Sequence, residues 1–189
     1  MKIRVIGLGN VLMSDDGFGP YVVRVLEALY EFPQHVQVID AGTPGLDLTP
    51  CLIDADVLVL VDTVTADGCA GDLHQFRLTD VLQGSPMARL SPHDPGVKEA
   101  LLNMAAAGMG PKHVLLLGVV PEWIATGVDL SPAVRAALSP VIGMIVSELE
   151  RHGVRPVRRR EPRQPDTWWE RGLPRRSSPY PVEQRAKAG

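Results

Sequence analysis

Five consecutive aliphatic residues, VLVLV at positions 57–61, restrict the fold of this chain more than any other feature. A strand with one face in solvent alternates apolar and polar residues, whereas this run contains no polar position. A second run, VLLLGVV at positions 114–120, has the same character. Strands of this kind occupy the middle of parallel sheets whose two faces are both covered by helices. We therefore expect an α/β protein.

The rest of the pattern agrees with a parallel sheet. Three further strands are predicted, at residues 3–6, 36–40 and 73–78, and the last alternates in polarity as an edge strand does. Helical periodicity is found between the strands, at residues 20–31, 96–107 and 132–152. This alternation predicts three layers, α/β/α, around a twisted and mainly parallel sheet of about five strands.

Composition excludes several classes of protein. The 189 residues are 45% hydrophobic and 22% charged, which is ordinary for a globular chain. The two cysteines, Cys51 and Cys69, have neither metal-ligand nor redox spacing, which favours a reduced compartment. The N-terminus enters a strand pattern without a secretory signal, and the apolar runs are too short to cross a bilayer. We expect a cytoplasmic monomer without membrane attachment.

The charge is distributed unevenly along the chain. The net charge is −3, yet the stretch from residue 151 onward has eleven Lys and Arg against four Asp and Glu. This part also has six prolines and lacks hydrophobic periodicity. We therefore predict a domain at residues 1–153 and a basic, Pro/Arg-rich extension at residues 154–189 that is disordered or loosely adherent. The Trp168–Trp169 pair is the part of it expected to dock, so an interaction module remains an alternative.

The first strand leads into a glycine-rich loop, GLGNVLMSDDGFGP at residues 7–20. A nucleotide-binding fold has its phosphate loop at this position. Here Asp15 and Asp16 would repel a phosphate, and Leu12 replaces the third glycine of the dinucleotide motif. A nucleotide-binding module is therefore the disfavoured alternative, and the loop indicates a cation.

Carboxylates also follow the other predicted strands, at Asp40, Asp62 and Glu122. Ligands of open parallel sheets bind at the carboxyl ends of the strands, where these side chains would meet. His93 lies between two prolines just before a predicted helix. Asp16, Asp62 and His93 together would form an open site of three ligands, which accepts Zn²⁺, Ni²⁺ or Mn²⁺.

These motifs resemble those of the hydrogenase maturation proteases, the endopeptidases that trim the C-terminus of the nickel–iron hydrogenase large subunit. The resemblance extends from Met1 to about Gly153 and leaves out the basic extension. The matching residues form five blocks in family order: Gly7, Gly9, Asn10, Leu12, Asp15, Asp16, Gly17 and Gly19; Asp40, Gly42, Thr43 and Gly45; Asp62; Ser91, Pro92 and His93; and residues 118–122.

The resemblance implies a fold of about five mainly parallel strands between helices. It also implies that Asp16, Asp62 and His93 are the metal-binding residues, although the first of them is often Glu in the family. The metal would be nickel supplied by the substrate, with zinc or cadmium as substitutes. The partner would be the large-subunit precursor, with no role for nucleic acid or a membrane.

The expected chemistry is peptide hydrolysis directed by that nickel. Asp16, Asp62 and His93 would bind the metal and so position the peptide. A water molecule would be activated by one of the carboxylates, as in an aspartyl protease, or by the metal. Asp40 is a weaker candidate for the general base or for positioning the peptide. Neither cysteine, nor any serine, stands beside a plausible base, which disfavours a covalent nucleophile.

Overall fold

The computed structural model describes residues 1–43, 48–83, 89–90 and 94–171. The strands are β1 (Ile3–Leu8), β2 (Tyr30–Glu31), β3 (Val36–Gly42), β4 (Val57–Thr65), β5 (Leu73–Arg77), β6 (Arg89–Leu90), β7 (His113–Val119) and β8 (Val157–Arg158). The helices are α1 (Phe18–Leu29), α2 (Thr49–Leu52), α3 (Leu78–Gln83), α4 (Asp94–Ala106), α5 (Pro132–Ala136) and α6 (Leu138–Arg151). Two short 3₁₀ helices cover Ser14–Gly17 and Trp168–Glu170.

The main sheet has the strand order β3-β1-β4-β7-β5. The first four strands are parallel to their neighbours, and β5 is antiparallel to β7. The predicted α/β fold, with a mainly parallel sheet of five strands, is thereby confirmed. The alternating segment is at an edge, as expected, and β4 lies at the centre. The two-residue strand β6 pairs with the end of β4.

Two apolar layers cover the sheet, and alternate residues of β4 belong to one or the other. Val57, Val59 and Val61 lie in a cluster with buried residues of α1 and α6. Leu58 and Leu60 lie in a second cluster with buried residues of α2 and α4. Both faces of the strand are thus withdrawn from water, which is the physical reason for its uninterrupted apolar sequence.

The predicted helix at residues 132–152 is interrupted. The chain forms α5, passes through Ala137 and continues as α6. Pro140 has no N–H group with which to donate to the carbonyl of residue 136, so the helical hydrogen-bond pattern fails there. The amide of Ala137 instead bonds to the carbonyl of Val134, in the tighter geometry of a 3₁₀ turn.

The same stretch, Pro132–Arg151, is long and apolar enough to cross a bilayer. It meets this criterion by length and average composition only, since its uninterrupted apolar runs are short, as expected. Its apolar residues Val134, Leu138, Val141 and Ile145 are buried in the core beside α1 and the sheet. The apolar face of this helix pair is therefore occupied by the protein itself.

The first part of the basic extension is folded against the domain, which corrects the prediction of disorder for residues 154–171. Strand β8 pairs antiparallel with β2. Arg159 forms an ion pair of 2.6 Å with Glu31, and Trp169 belongs to the apolar core. Of the tryptophan pair that was expected to dock, Trp169 packs into the domain's own core, whereas Trp168 stays half exposed. Residues 172–189 lie outside the described part of the chain, and the domain boundary at residue 153 stays a prediction.

Candidate active site

Glycines bring the start of α1 into direct contact with the end of β1. A Cβ atom on Gly7 would lie 2.3 Å from the carbonyl oxygen of Gly19. A Cβ atom on Gly9 would lie 1.8 Å from the carbonyl oxygen of Asp16, and the φ angle of Gly9 is +126°. Neither position has space for a side chain. The glycines therefore hold the Ser14–Gly17 turn, with its two carboxylates, against the edge of the sheet.

Asp16 is almost completely buried, with 2% of its surface exposed. Its Oδ2 atom accepts a hydrogen bond of 2.9 Å from the backbone N–H of Asn10. Its Oδ1 atom accepts one of 3.3 Å from the hydroxyl of Thr63 on β4. One carboxylate oxygen is thus fixed by its own loop and the other by the neighbouring strand.

Asp62 is equally buried, with 1% exposed. Its Oδ1 atom accepts a hydrogen bond of 2.7 Å from the backbone N–H of Thr63. Asp62 lies inside β4 rather than at the end of a strand, because β4 extends to Thr65 through its pairing with β6. The structure therefore places the carboxylate of Asp16 against Thr63, the residue that follows Asp62, and sequence reasoning missed this contact.

Asp15 has a structural role, in keeping with its place outside the predicted ligand set. It is completely buried and accepts three backbone hydrogen bonds. The donors are the N–H groups of Glu122 at 2.9 Å, Trp123 at 3.2 Å and Ser131 at 2.6 Å. Asp15 thereby anchors the segment that follows β7 beside the Asp16 turn. Glu122, the carboxylate predicted after this strand, contacts the turn through its backbone N–H.

Asp40 occupies a different part of the sheet edge, because β1 separates β3 from β4. Its Oδ2 atom forms an ion pair of 3.1 Å with Arg24 of α1. Its Oδ1 atom accepts a hydrogen bond of 3.1 Å from the N–H of Gly42. Periodicity places Arg24 on the outer face of α1 and gives no sign of this pairing, which ties the end of β3 to the helix.

His93 lies outside the described residues, so its place relative to the two carboxylates stays a prediction. The chain reaches Leu90 beside Val64, two residues from Asp62, and the described part resumes at Asp94 with α4. Within the described ranges no group of three His, Cys, Asp or Glu side chains forms a metal site. Two of the three predicted ligands are therefore located, at Asp16 and Asp62.

A cleft of about 310 Å³ opens next to the Asp16 turn. Its walls come from the loop after β1, the end of β3 and the 3₁₀ helix Trp168–Glu170. Gly9 and Asn10, which contact Asp16, are among its lining residues, as is Asp40. The loop after β1 therefore both lines the cleft and holds the carboxylate of Asp16.

Comparison with known proteins identifies the family. Residues 20–148 match the family model described as hydrogenase maturation protease. The hydrogenase 2 maturation protease of Escherichia coli (strain K12) is 29% identical over 159 residues, which cover 84% of this chain and 97% of that protein. The hydrogenase expression/formation protein HoxM of Azotobacter vinelandii is 35% identical over 154 residues, covering 81% of this chain and 74% of that protein.

Solved structures similar to this chain come from the same family. The hydrogenase maturating endopeptidase HybD from E. coli superimposes with a TM-score of 0.78 at 30% identity, over 84% of this chain and 98% of that one. A nickel–iron hydrogenase maturation protease from Thermococcus kodakarensis shares the fold, with a TM-score of 0.64 at 23% identity over 78% of this chain and 99% of that one. The present chain belongs to the hydrogenase maturation protease family and is an endopeptidase.

Proposed function

We propose that this protein removes the C-terminal extension of a nickel–iron hydrogenase large-subunit precursor after nickel has been inserted. Asp16, Asp62 and His93 contact the nickel, which arrives as part of the substrate. The observation that carries the proposal is the pair of buried carboxylates, Asp16 and Asp62, which both bond to Thr63. Membership of the maturation protease family supports the choice of substrate.

The proposed ligands suit such a metal. Carboxylate oxygens and an imidazole nitrogen bind Ni²⁺ and also accept Zn²⁺ or Cd²⁺ as substitutes. Three protein ligands leave positions open for the ligands that the substrate provides. The described residues nearest in sequence support His93 as the third ligand, because Leu90 pairs with Val64 close to Asp62.

The buried carboxylates position the substrate and move a proton. Contact with the substrate's nickel fixes the peptide beside Asp16 and Asp62 and so makes hydrolysis a positioned reaction. One of the two carboxylates takes a proton from water as the oxygen adds to the scissile carbonyl carbon. The carbon–nitrogen bond then breaks, and the proton passes to the leaving amine. The hydrogen bonds from Asn10 and Thr63 keep the carboxylates in place during these steps.

Asp40 has a lesser part in this proposal. Its ion pair with Arg24 and its bond to Gly42 fix the end of β3, which lines the cleft. We therefore assign Asp40 to positioning the peptide rather than to proton transfer. Asp40→Asn is expected to slow cleavage by less than about tenfold, since an amide keeps the bond to Gly42 and loses only the charge.

The test uses purified precursor in nickel-loaded and nickel-free forms, with cleavage followed by mass spectrometry. The wild-type protein is expected to cut only the loaded form. Asp62→Asn and Asp16→Asn are expected to lower the rate at least about a hundredfold, the contribution of a positioned general base. The exposed Asp67 provides the control, and Asp67→Asn should leave the rate unchanged.

Two results would contradict the proposal. Cleavage of the loaded precursor at nearly the wild-type rate by Asp62→Asn would remove that carboxylate from the reaction. Efficient cleavage of the nickel-free precursor by the wild-type protein would show that the metal is not the recognition element. Thermal unfolding of each variant separates loss of chemistry from loss of structure.

A further inference from the structure

We infer that Trp168, on the folded part of the basic extension, is a substrate-binding residue for the C-terminal peptide of the precursor. The peptide lies in the cleft beside the Asp16 turn, and one of its apolar side chains packs against the Trp168 indole. This inference rests on the proposed function, and it adds a determinant of specificity outside the carboxylate site.

The segment that carries Trp168 is firmly attached to the domain. Trp169 is 6% exposed and meets the Tyr21 ring edge to face, with 5.1 Å between the ring centroids. Glu170 accepts hydrogen bonds from the hydroxyls of Tyr21 and Thr167 and pairs with Arg135 at 3.4 Å. Burial, and then the bond with Glu170, raise the pKa of Tyr21, so its hydroxyl stays protonated as a donor.

Trp168 is next to this anchor but remains half exposed. Its side chain is 51% exposed and packs edge to face on Trp169, with the centroids 5.7 Å apart. It lines the cleft together with Gly42 and Thr43 at the end of β3. A large aromatic ring that is half exposed on a fixed support is well suited to bind a ligand, since little conformational freedom is lost on contact.

The cleft shares the loop after β1 with the proposed reaction site. Gly9 lines the cleft and touches the backbone carbonyl of Asp16, and Asn10 lines it while donating to the Asp16 carboxylate. A peptide whose scissile bond lies beside Asp16 therefore has this cleft as an adjoining channel. Gly42 has no side chain, and nothing lies within 4 Å of the position that a Cβ atom would take, so an extended peptide can approach the backbone closely there.

Charge favours a peptide over a nucleotide in the cleft. The acidic side chain among the lining residues is Asp40, and Arg24 already neutralises it. No Lys or Arg appears among the described residues that line the cleft. A phosphate group would therefore have no cationic partner there, whereas an apolar peptide side chain would have the exposed face of Trp168.

The experiment measures KM and kcat for cleavage of the nickel-loaded precursor by the full-length protein. Trp168→Ala is expected to raise KM about tenfold with kcat nearly unchanged, the effect of removing one good interface contact. Trp168→Phe should restore most of the affinity, because it keeps an aromatic face. Val157→Ala is the matched control, since Val157 is an exposed apolar residue of the same extension away from the cleft.

A second measurement uses the synthetic peptide that corresponds to the removed extension as a competitive inhibitor. Its inhibition constant should rise in Trp168→Ala in parallel with KM, which a merely structural role would not produce at an unchanged melting temperature. Unchanged KM in Trp168→Ala, with normal wild-type cleavage, overturns this inference alone. Failure of the wild-type protein to cleave the precursor overturns the proposed function and this inference together.

Discussion

The hydroxyl of Thr63 donates a hydrogen bond of 3.3 Å to the carboxylate of Asp16. The backbone N–H of the same residue donates to Asp62 at 2.7 Å. One residue of β4 thus orients a carboxylate from the β1 loop and one from its own strand. Both carboxylates are buried, where a fixed hydrogen bond has more effect on orientation than it would in water.

Thr63→Val removes the hydroxyl and leaves the backbone bond to Asp62. We expect cleavage of the nickel-loaded precursor to fall about tenfold, because Asp16 loses a bond that is worth about 1–2 kcal/mol. The control is Thr65→Val, the same change at an exposed position of the same strand. Equal rates in the two variants would show that the Thr63 hydroxyl does not orient Asp16.

Gly9→Ala places a methyl group where the carbonyl oxygen of Asp16 lies, in a backbone conformation that disfavours side chains. We expect a loss of at least about 2 kcal/mol in the free energy of unfolding, together with reduced cleavage. Gly143→Ala is the opposite case, because Gly143 is inside α6 and a Cβ atom added there would have nothing within 4 Å. This control should gain up to about 1 kcal/mol in urea unfolding.

Asp15→Ala leaves three backbone donors, from Glu122, Trp123 and Ser131, without their acceptor. We expect a loss of about 2–4 kcal/mol in the free energy of unfolding, since the buried N–H of Ser131 costs about 1–3 kcal/mol when it is unsatisfied. The N–H groups of Glu122 and Trp123 are partly exposed and can bond to water at a smaller cost. Asp67→Ala is the surface control and should be neutral. A variant of wild-type stability would mean that the segment after β7 is not anchored by Asp15.

Glu148 on α6 makes stability depend on pH. Burial opposes its ionisation, but the Arg77 hydrogen bonds of 2.6 and 3.1 Å and the Arg77 and Arg151 charges hold its pKa below the ordinary 4.5. A lowered pKa in the folded state gives stability that is present above pH 4.5 and is lost as pH falls through the folded pKa. Because Arg77 is partly exposed, its pairing with Glu148 adds only about 1–2 kcal/mol to the free energy of unfolding.

Glu148→Gln is therefore expected to be less stable than the wild type at pH 7 and to approach it below pH 4.5. Urea unfolding at both pH values measures the difference. The exposed neighbour Glu150 gives the control, and Glu150→Gln should follow the wild-type curve. A constant difference between Glu148→Gln and the wild type across this range would contradict the assignment.

Local patterns predicted the sheet because burial on two faces leaves a direct mark on the sequence. The VLVLV run could only belong to a central strand, and β4 has that position. The sequence did not predict where β4 ends, because its last residues pair with Arg89 and Leu90 of β6, which are distant in sequence. The predicted disorder of the extension failed for a similar reason. Trp169 is buried against Tyr21, a partner far away in sequence that periodicity does not reveal.

Sequence by itself determined the class of fold, the glycine loop and the short set of acidic candidates, because these depend on residue type and local spacing. Only the tertiary structure showed which groups Asp15 and Asp16 each contact. The two are adjacent and chemically identical, yet Asp15 meets three amides beyond β7, whereas Asp16 meets Asn10 and Thr63. Roles of this kind depend on which distant groups reach each carboxylate, and folding alone brings those groups together.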